Sequence, residues 1–192
     1  MKIGIDFDNT IANYDGVFYQ AAFERGLIPE SLETSKKSVR DYLRSANQED
    51  EWTKLQGYIY GDRMDLAKPY PGVDSFFNHC QLQGIETVIV SHKTKHPYLG
   101  FKYDLHAAAK GWLETQPFAP DLAFFELTLE EKIKRIETLN CDYFIDDLPE
   151  LLAEKTFPPH VKKLLFDPSN HHSEIPGIIR VTSWDEVIEV IQ

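Results

Sequence analysis

Six short apolar runs recur along this chain of 192 residues, and helical patterning fills the stretches between them. The runs are 2–7, 86–90, 122–127, 142–145, 163–166 and 178–181. Between them the helical period marks 73–83, closed by Gly84 where a helix C-terminal glycine belongs, and 103–114. It also marks a helix behind Thr128, with Glu131 completing a capping-box pattern, then 148–155, and 184–191 behind Ser183. Strands joined through helices pair in parallel, and the helices cover both faces of the sheet. The expected fold class is therefore α/β, a Rossmann-like parallel sheet.

Residues 14–68 break that alternation. Phe18, Ala21, Ala22 and Phe23 follow a period near that of a helix, and Leu27-Ile28-Pro29 ends it. Ser38 is a candidate N-cap for the stripe Val39, Tyr42 and Leu43, and Trp52, Leu55, Tyr58 and Ile59 resume the spacing. No strand alternation appears. The expected organisation is a core of 1–13 and 69–192, interrupted by a helical insertion at 14–68. The aromatics Trp52, Tyr58, Tyr60 and Trp112 are expected to pack inside.

Bulk charge narrows the partners. Asp and Glu number 31 against 20 Lys and Arg, a net charge of −11. Such a surface offers nothing to neutralise a run of phosphates, so a nucleic acid polymer or an anionic membrane is not expected. One small phosphorylated ligand needs only local positive charge and stays open. Cys80 and Cys141 lack zinc-ligand spacing and are expected to be reduced thiols. Met1-Lys2 runs straight into the first strand, and no apolar run approaches the roughly 20 residues of a membrane span. A cytoplasmic location is the expectation. His160, His171 and His172 lack diagnostic metal spacing and are expected in exposed loops.

In parallel sheets ligands gather beyond the carboxyl ends of the strands. Three of the expected strands end in polar residues: Asp6 with Asp8 and Thr10, Ser91 with Lys93, and Asp146 with Asp147. One Asp-x-Asp after a strand is commonly a turn or a helix cap. Three such ends in one sheet would line one crevice. Burying an unpaired carboxylate costs several kcal/mol, on the order of a whole domain's net stability when doubled, so a cation or acid–base chemistry is called for.

The residues Asp6-Phe7-Asp8-Asn9-Thr10, Ser91, Lys132 and Asp146-Asp147 occur in the order of the four motifs of the haloacid dehalogenase-like hydrolase superfamily. Lys132 precedes Asp146 by 14 residues, a helix and a strand apart. The chain resembles that family over most of its length. The resemblance implies a phosphatase whose nucleophile is Asp6, forming an aspartyl-phosphate. It implies Asp8 as the acid that protonates the leaving oxygen and then the base that activates water. It implies Mg2+ held by Asp6, the Asp8 backbone carbonyl and Asp146, with Asp147 beside the metal or paired with Lys132. Ser91 and Lys132 would hold the phosphate, and the Thr10 hydroxyl would bond mainly to its own turn. Lys134, in the same charged run, rivals Lys132. Asn9, His92 and Lys93 are possible substrate contacts.

By the same resemblance the segment 14–68 is a cap that sets substrate choice, hinged at Tyr14–Gly16 and Lys68–Gly72. The expected substrate is a small phosphorylated metabolite, a nucleotide or a sugar phosphate. Retention of Asp8 favours phosphoester hydrolysis over dehalogenation. A phosphotransferase or mutase using the same aspartyl-phosphate is the alternative, and a non-catalytic binding module is the other.

Overall fold

A computed structural model describes all residues from 1 to 192. The chain forms two compact units. One comprises Met1–Ala12, Pro69–Lys93 and Gln116–Gln192, and the other Asn13–Lys68 and Thr94–Thr115. The strands in chain order are β1 (Lys2–Ile5), β2 (Ala12–Asn13), β3 (Lys68–Pro69), β4 (Glu86–His92), β5 (Leu122–Glu126), β6 (Tyr143–Asp146), β7 (Lys162–Phe166) and β8 (Ile178–Val181). The two-residue strands β2 and β3 stand where the chain passes from one unit to the other. No helix is long and apolar enough to cross a membrane.

The first unit is built on a six-stranded parallel sheet in the order β5-β4-β1-β6-β7-β8. The chain winds outward from β1 to β4 and β5, then restarts on the other side with β6. The strand order thus reverses beside β1, which is where such sheets open a ligand crevice. Ile3, Gly4 and Ile5 pair with Thr87, Val88 and Ile89 on one side and with Tyr143, Phe144 and Ile145 on the other. That register brings Asp6 and Asp146 out at one level.

Side chains alternate between faces along each strand. Val88, Val90, Phe144 and Leu165 pack on one face with Ile133 and Ile136 of α6 (Leu129–Leu139) and Leu151 and Leu152 of α7 (Pro149–Leu152). Phe166, of the opposite parity, packs with Trp184 of α8 (Trp184–Ile191), and Trp184 with Phe76 of α4 (Val73–Gln83), at ring distances of 5.5 and 4.7 Å. Gly4 is confined: a Cβ there would lie 2.4 Å from the Phe144 ring. The helix ends match their sequence signals. Gly84 adopts a left-handed φ of 64° after α4, and Thr128 with Glu131 closes a reciprocal capping box on α6. The expected helix over 148–155 contracts to the single turn of α7.

The second unit holds α1 (Val17–Glu24), α2 (Lys36–Ser45), α3 (Glu49–Gly61) and α5 (Leu105–Glu114). Its centre is aromatic. Phe18 packs against Trp52 at 5.1 Å and Tyr14 against Tyr60 at 5.0 Å, with Val39, Leu43, Leu55 and Ile59 fully buried around them. Ser35, three residues before the expected Ser38, caps α2, and its hydroxyl accepts the Ser38 N–H. Residues 94–115 fall in this unit and not with the sheet. The cause lies on α3, where a Cβ at Gly57 would meet Pro97 at 2.5 Å and one at Gly61 would meet Tyr103 at 2.4 Å. Two bare helix positions let the 94–115 segment lie directly on the helix backbone. Trp112 then donates its indole N–H to the Ala67 carbonyl at 3.0 Å.

Candidate active site

Asp6 leaves β1 with its backbone N–H donated to the Ile145 carbonyl at 2.8 Å, so the β1–β6 ladder continues to the first carboxylate. The chain then turns. Ile11 and Ala12 donate to the Phe7 carbonyl, and Asn9 donates to Ala12. Asn9 has φ 60°, a left-handed conformation that asparagine tolerates better than most residues, so the turn itself accounts for an amide there. The turn closes through backbone bonds. The Thr10 hydroxyl, expected to serve it, is instead buried with no hydrogen-bond partner.

Lys132 is the fourth residue of α6, its N–H bonded to the capping Thr128 carbonyl at 3.0 Å. Its side chain is 1% exposed and its Nζ donates to Asp6 Oδ1 and to Asp146 Oδ2, each at 2.6 Å. Lys134, its rival, points outward and is exposed. Asp146 is fully buried, and its Oδ1 accepts the Leu148 N–H at 2.9 Å. Burial pushes the Asp146 carboxyl upward, Lys132 opposes this and Asp6 adds to it, leaving a net rise. Burial alone would lower the Lys132 ammonium, but Asp146 and Asp6 outweigh it and hold it above the ordinary lysine value.

One carboxylate oxygen from each of Asp6, Asp146 and Asp147 lies within 4.8 Å of the others. The remaining pair is Lys93 and Asp8. Lys93 is buried, and its Nζ donates to Asp8 Oδ2 at 2.6 Å. The group therefore counts four carboxylates, Asp6, Asp8, Asp146 and Asp147, against two ammonium groups, Lys93 and Lys132. The donors are hard oxygens, which suit Mg2+. The residues fit the ion.

Ser91 lies buried on β4, two residues before Lys93. His92 does not accompany them. Because β4 runs on to His92, alternation puts it on the opposite side from Ser91 and Lys93. It is exposed, with Nε2 3.1 Å from the Leu127 carbonyl. That placement sets His92 apart from Ser91 and Lys93. His171 and His172 gather no metal-ligating cluster. Their backbone N–H groups instead donate to the buried Asp167 carboxylate at 3.0 and 2.9 Å. The Lys93–Asp8 pair was not anticipated from sequence, although the shared parity of Ser91 and Lys93 in one strand was a signal for it.

No family model matches the chain. Two curated bacterial proteins do. A protein of Bacillus cereus named "Putative nucleotidase" is 26% identical over all of this chain and 98% of its own length. One of the same description from Oceanobacillus iheyensis is 24% identical over 98% of each. Among solved structures, a haloacid dehalogenase-superfamily hydrolase from Geobacter sulfurreducens aligns with TM-score 0.61 and 13% identity over 100% of this chain and 96% of that one. A phosphatase of the same superfamily from Thermococcus onnurineus gives 0.53 and 16% over 100% and 98%. The Bacillus subtilis YfnB structure, which is bound to magnesium, gives 0.56 and 12% over 99% and 97%. With its strand order, its strand-end acids and these neighbours, the chain has the fold of the haloacid dehalogenase-like hydrolases.

Proposed function

We propose that this protein is a magnesium-dependent phosphomonoesterase that hydrolyses a nucleoside monophosphate through an aspartyl-phosphate on Asp6. The observation that carries the reading is the junction of Asp6, Lys132 and Asp146 at the strand-order reversal. There a buried carboxylate stands at the end of the central strand with a cation already bonded to it. Such a carboxylate can attack phosphorus and divide hydrolysis into two easier steps.

In the first step an Asp6 oxygen bonds to phosphorus as the ester P–O bond breaks, and Asp8 gives its proton to the leaving oxygen. In the second, Asp8 takes a proton from water as the water oxygen attacks phosphorus and releases Asp6. Lys132 offsets the charge of nucleophile and phosphate, and Ser91 donates to a phosphoryl oxygen. Mg2+ would be held by Asp6, the Asp8 carbonyl and Asp146, with Asp147 adjoining, and would supply positive charge where the dianion meets the carboxylates. The helical unit takes the role of a cap that excludes water. The nucleotide is favoured over a sugar phosphate because both curated relatives carry the name "Putative nucleotidase".

The test is phosphate release from a panel of nucleoside monophosphates and sugar phosphates, with Mg2+ and with chelator, and with Asp6→Asn as control. The expected result is release from nucleotides that needs Mg2+ and is lost in Asp6→Asn. Mg2+ alone should also raise the melting temperature of the wild type. Turnover confined to sugar phosphates would overturn the substrate class. Label passing to an alcohol in place of water would make the protein a transferase. Activity that survives Asp6→Asn would overturn the mechanism.

A further inference from the structure

We infer that Lys93 is a positioning residue for Asp8: its ammonium fixes the plane of the Asp8 carboxyl and so the direction in which Asp8 hands a proton to the leaving oxygen. The inference rests on the phosphatase reading and adds to it a residue outside the Asp, Ser, Lys and Asp-Asp motif positions.

Two lysines divide the acids of this site. Lys132 serves Asp6 and Asp146, the nucleophile and its neighbour. Lys93 serves Asp8, 85 residues away in sequence, through Oδ2 at 2.6 Å. The lysine side chain is 3% exposed and the aspartate 19%. A lysine ammonium is compact and strongly hydrated, so withdrawing it from water costs several kcal/mol unless an anion offsets the loss. Asp8 is that anion. The pair is therefore a built feature of the fold and not a chance surface contact.

The post from which Lys93 reaches is rigid. Ser91 and His92 pair with Phe125 and Glu126 in the β4–β5 ladder, and the Lys93 N–H extends it to the Glu126 carbonyl at 2.9 Å. Asp8 sits in the turn after β1, and its Oδ2 accepts from that fixed ammonium at 2.6 Å. Bonding Oδ2 from a fixed point sets where Oδ1 faces. Proton transfer is sensitive to such placement, because the donor oxygen must meet the leaving oxygen at hydrogen-bond distance.

The test uses the leaving group. An alkyl phosphate, such as a nucleoside 5′-monophosphate, leaves as a basic alkoxide and needs the proton. p-Nitrophenyl phosphate leaves as a weakly basic phenolate and hardly needs it. Lys93→Met is expected to lower kcat/KM for the alkyl ester by about 10²-fold, the low end of a general-acid contribution. The aryl ester should fall by only a few-fold, and inhibition by inorganic phosphate should be unchanged. Lys93→Arg should restore most of the loss. In an Asp8→Asn background Lys93→Met should add no further loss of alkyl-ester activity. Should Lys93→Met not fold, Lys93→Gln carries the same expectations.

An equal fall for both esters, additive losses in the double variant, or weakened phosphate inhibition would overturn the inference and make Lys93 a structural or substrate-binding residue. These outcomes are distinct from failure of the phosphatase reading, which would show as a wild type without Asp6-dependent turnover of either ester.

Discussion

Lys132→Met is the perturbation whose size the structure sets most directly. One ammonium, 1% exposed, sits 2.6 Å from each of two carboxylates, of which Asp146 is fully buried. Removing one partner from a buried ion pair costs about 3–5 kcal/mol, because the remaining charge is left uncompensated. Against a domain stability of about 5–15 kcal/mol, that is a large share. Methionine keeps the length and apolar volume of the stem, so little of the loss would come from a cavity. The cost should depend on pH. Without the ammonium, burial holds Asp146 further above the unfolded carboxylate value, so the folded variant binds a proton that the unfolded chain does not. Its stability then rises as pH falls, and the gap to wild type narrows between about pH 8 and pH 5. Urea melts followed by circular dichroism measure this, with an unchanged slope certifying comparable unfolding. Adding Asp146→Asn to Lys132→Met should recover about 1 kcal/mol or more, since one orphaned charge is gone. A loss under about 1 kcal/mol at pH 8, or a gap flat with pH, would refute the reasoning.

Gly4→Ala should cost about 1–3 kcal/mol in the same melts, because its Cβ would lie 2.4 Å from the Phe144 ring, and a neutral result would mean the sheet face yields freely. Burial pushes the Asp167 carboxyl upward, but the N–H groups of His172 and His171 outweigh it and the net shift is downward. A carboxylate lowered on folding stabilises above its unfolded value, about 3.9, and loses that contribution as pH falls through the folded value. Asp167→Asn should therefore be less stable than wild type near pH 6 and approach it below about pH 3. A difference unchanged over that range would contradict the assignment. Burial pushes the Cys80 thiol up to about 12 and the Cys141 thiol up to about 11. Both should resist a disulfide reagent at pH 8 in the native protein and react once it is unfolded; fast native reaction would show that one is accessible.

The strands and the residues at their ends were legible because each is a local pattern. Apolar runs stopping at Asp6, Ser91 and Asp146, and the Thr128/Glu131 pair opening the helix that carries Lys132, can all be read within a few residues. The sheet then brings Asp6, Lys132 and Asp146 together through register, a property of strand pairing. The segment 94–115 was not legible. Its place depends on Gly57 and Gly61, and a glycine in a helix reads as a weakness unless the side chain that uses its space is known. The Lys93–Asp8 pair was hidden for a related reason. The residues after the apolar run 86–90 were expected at a strand end, where sequence alone does not set the directions of His92 and Lys93. Only the ladder bonds that carry β4 through His92 separate the two. Ser35 displaced Ser38 as a cap because two serines three residues apart offer the same hydroxyl, and the chain's path chooses between them.

The central claim is that Asp6 becomes covalently phosphorylated. The most direct measurement mixes enzyme, Mg2+ and a nucleoside monophosphate, quenches in acid within a turnover, and reads the peptide carrying Asp6 by mass spectrometry, with and without borohydride. The account predicts one phosphoryl group on Asp6, absent in Asp6→Asn, and conversion of that residue to homoserine by borohydride. Phosphate release at full rate with Asp6 never labelled would contradict it.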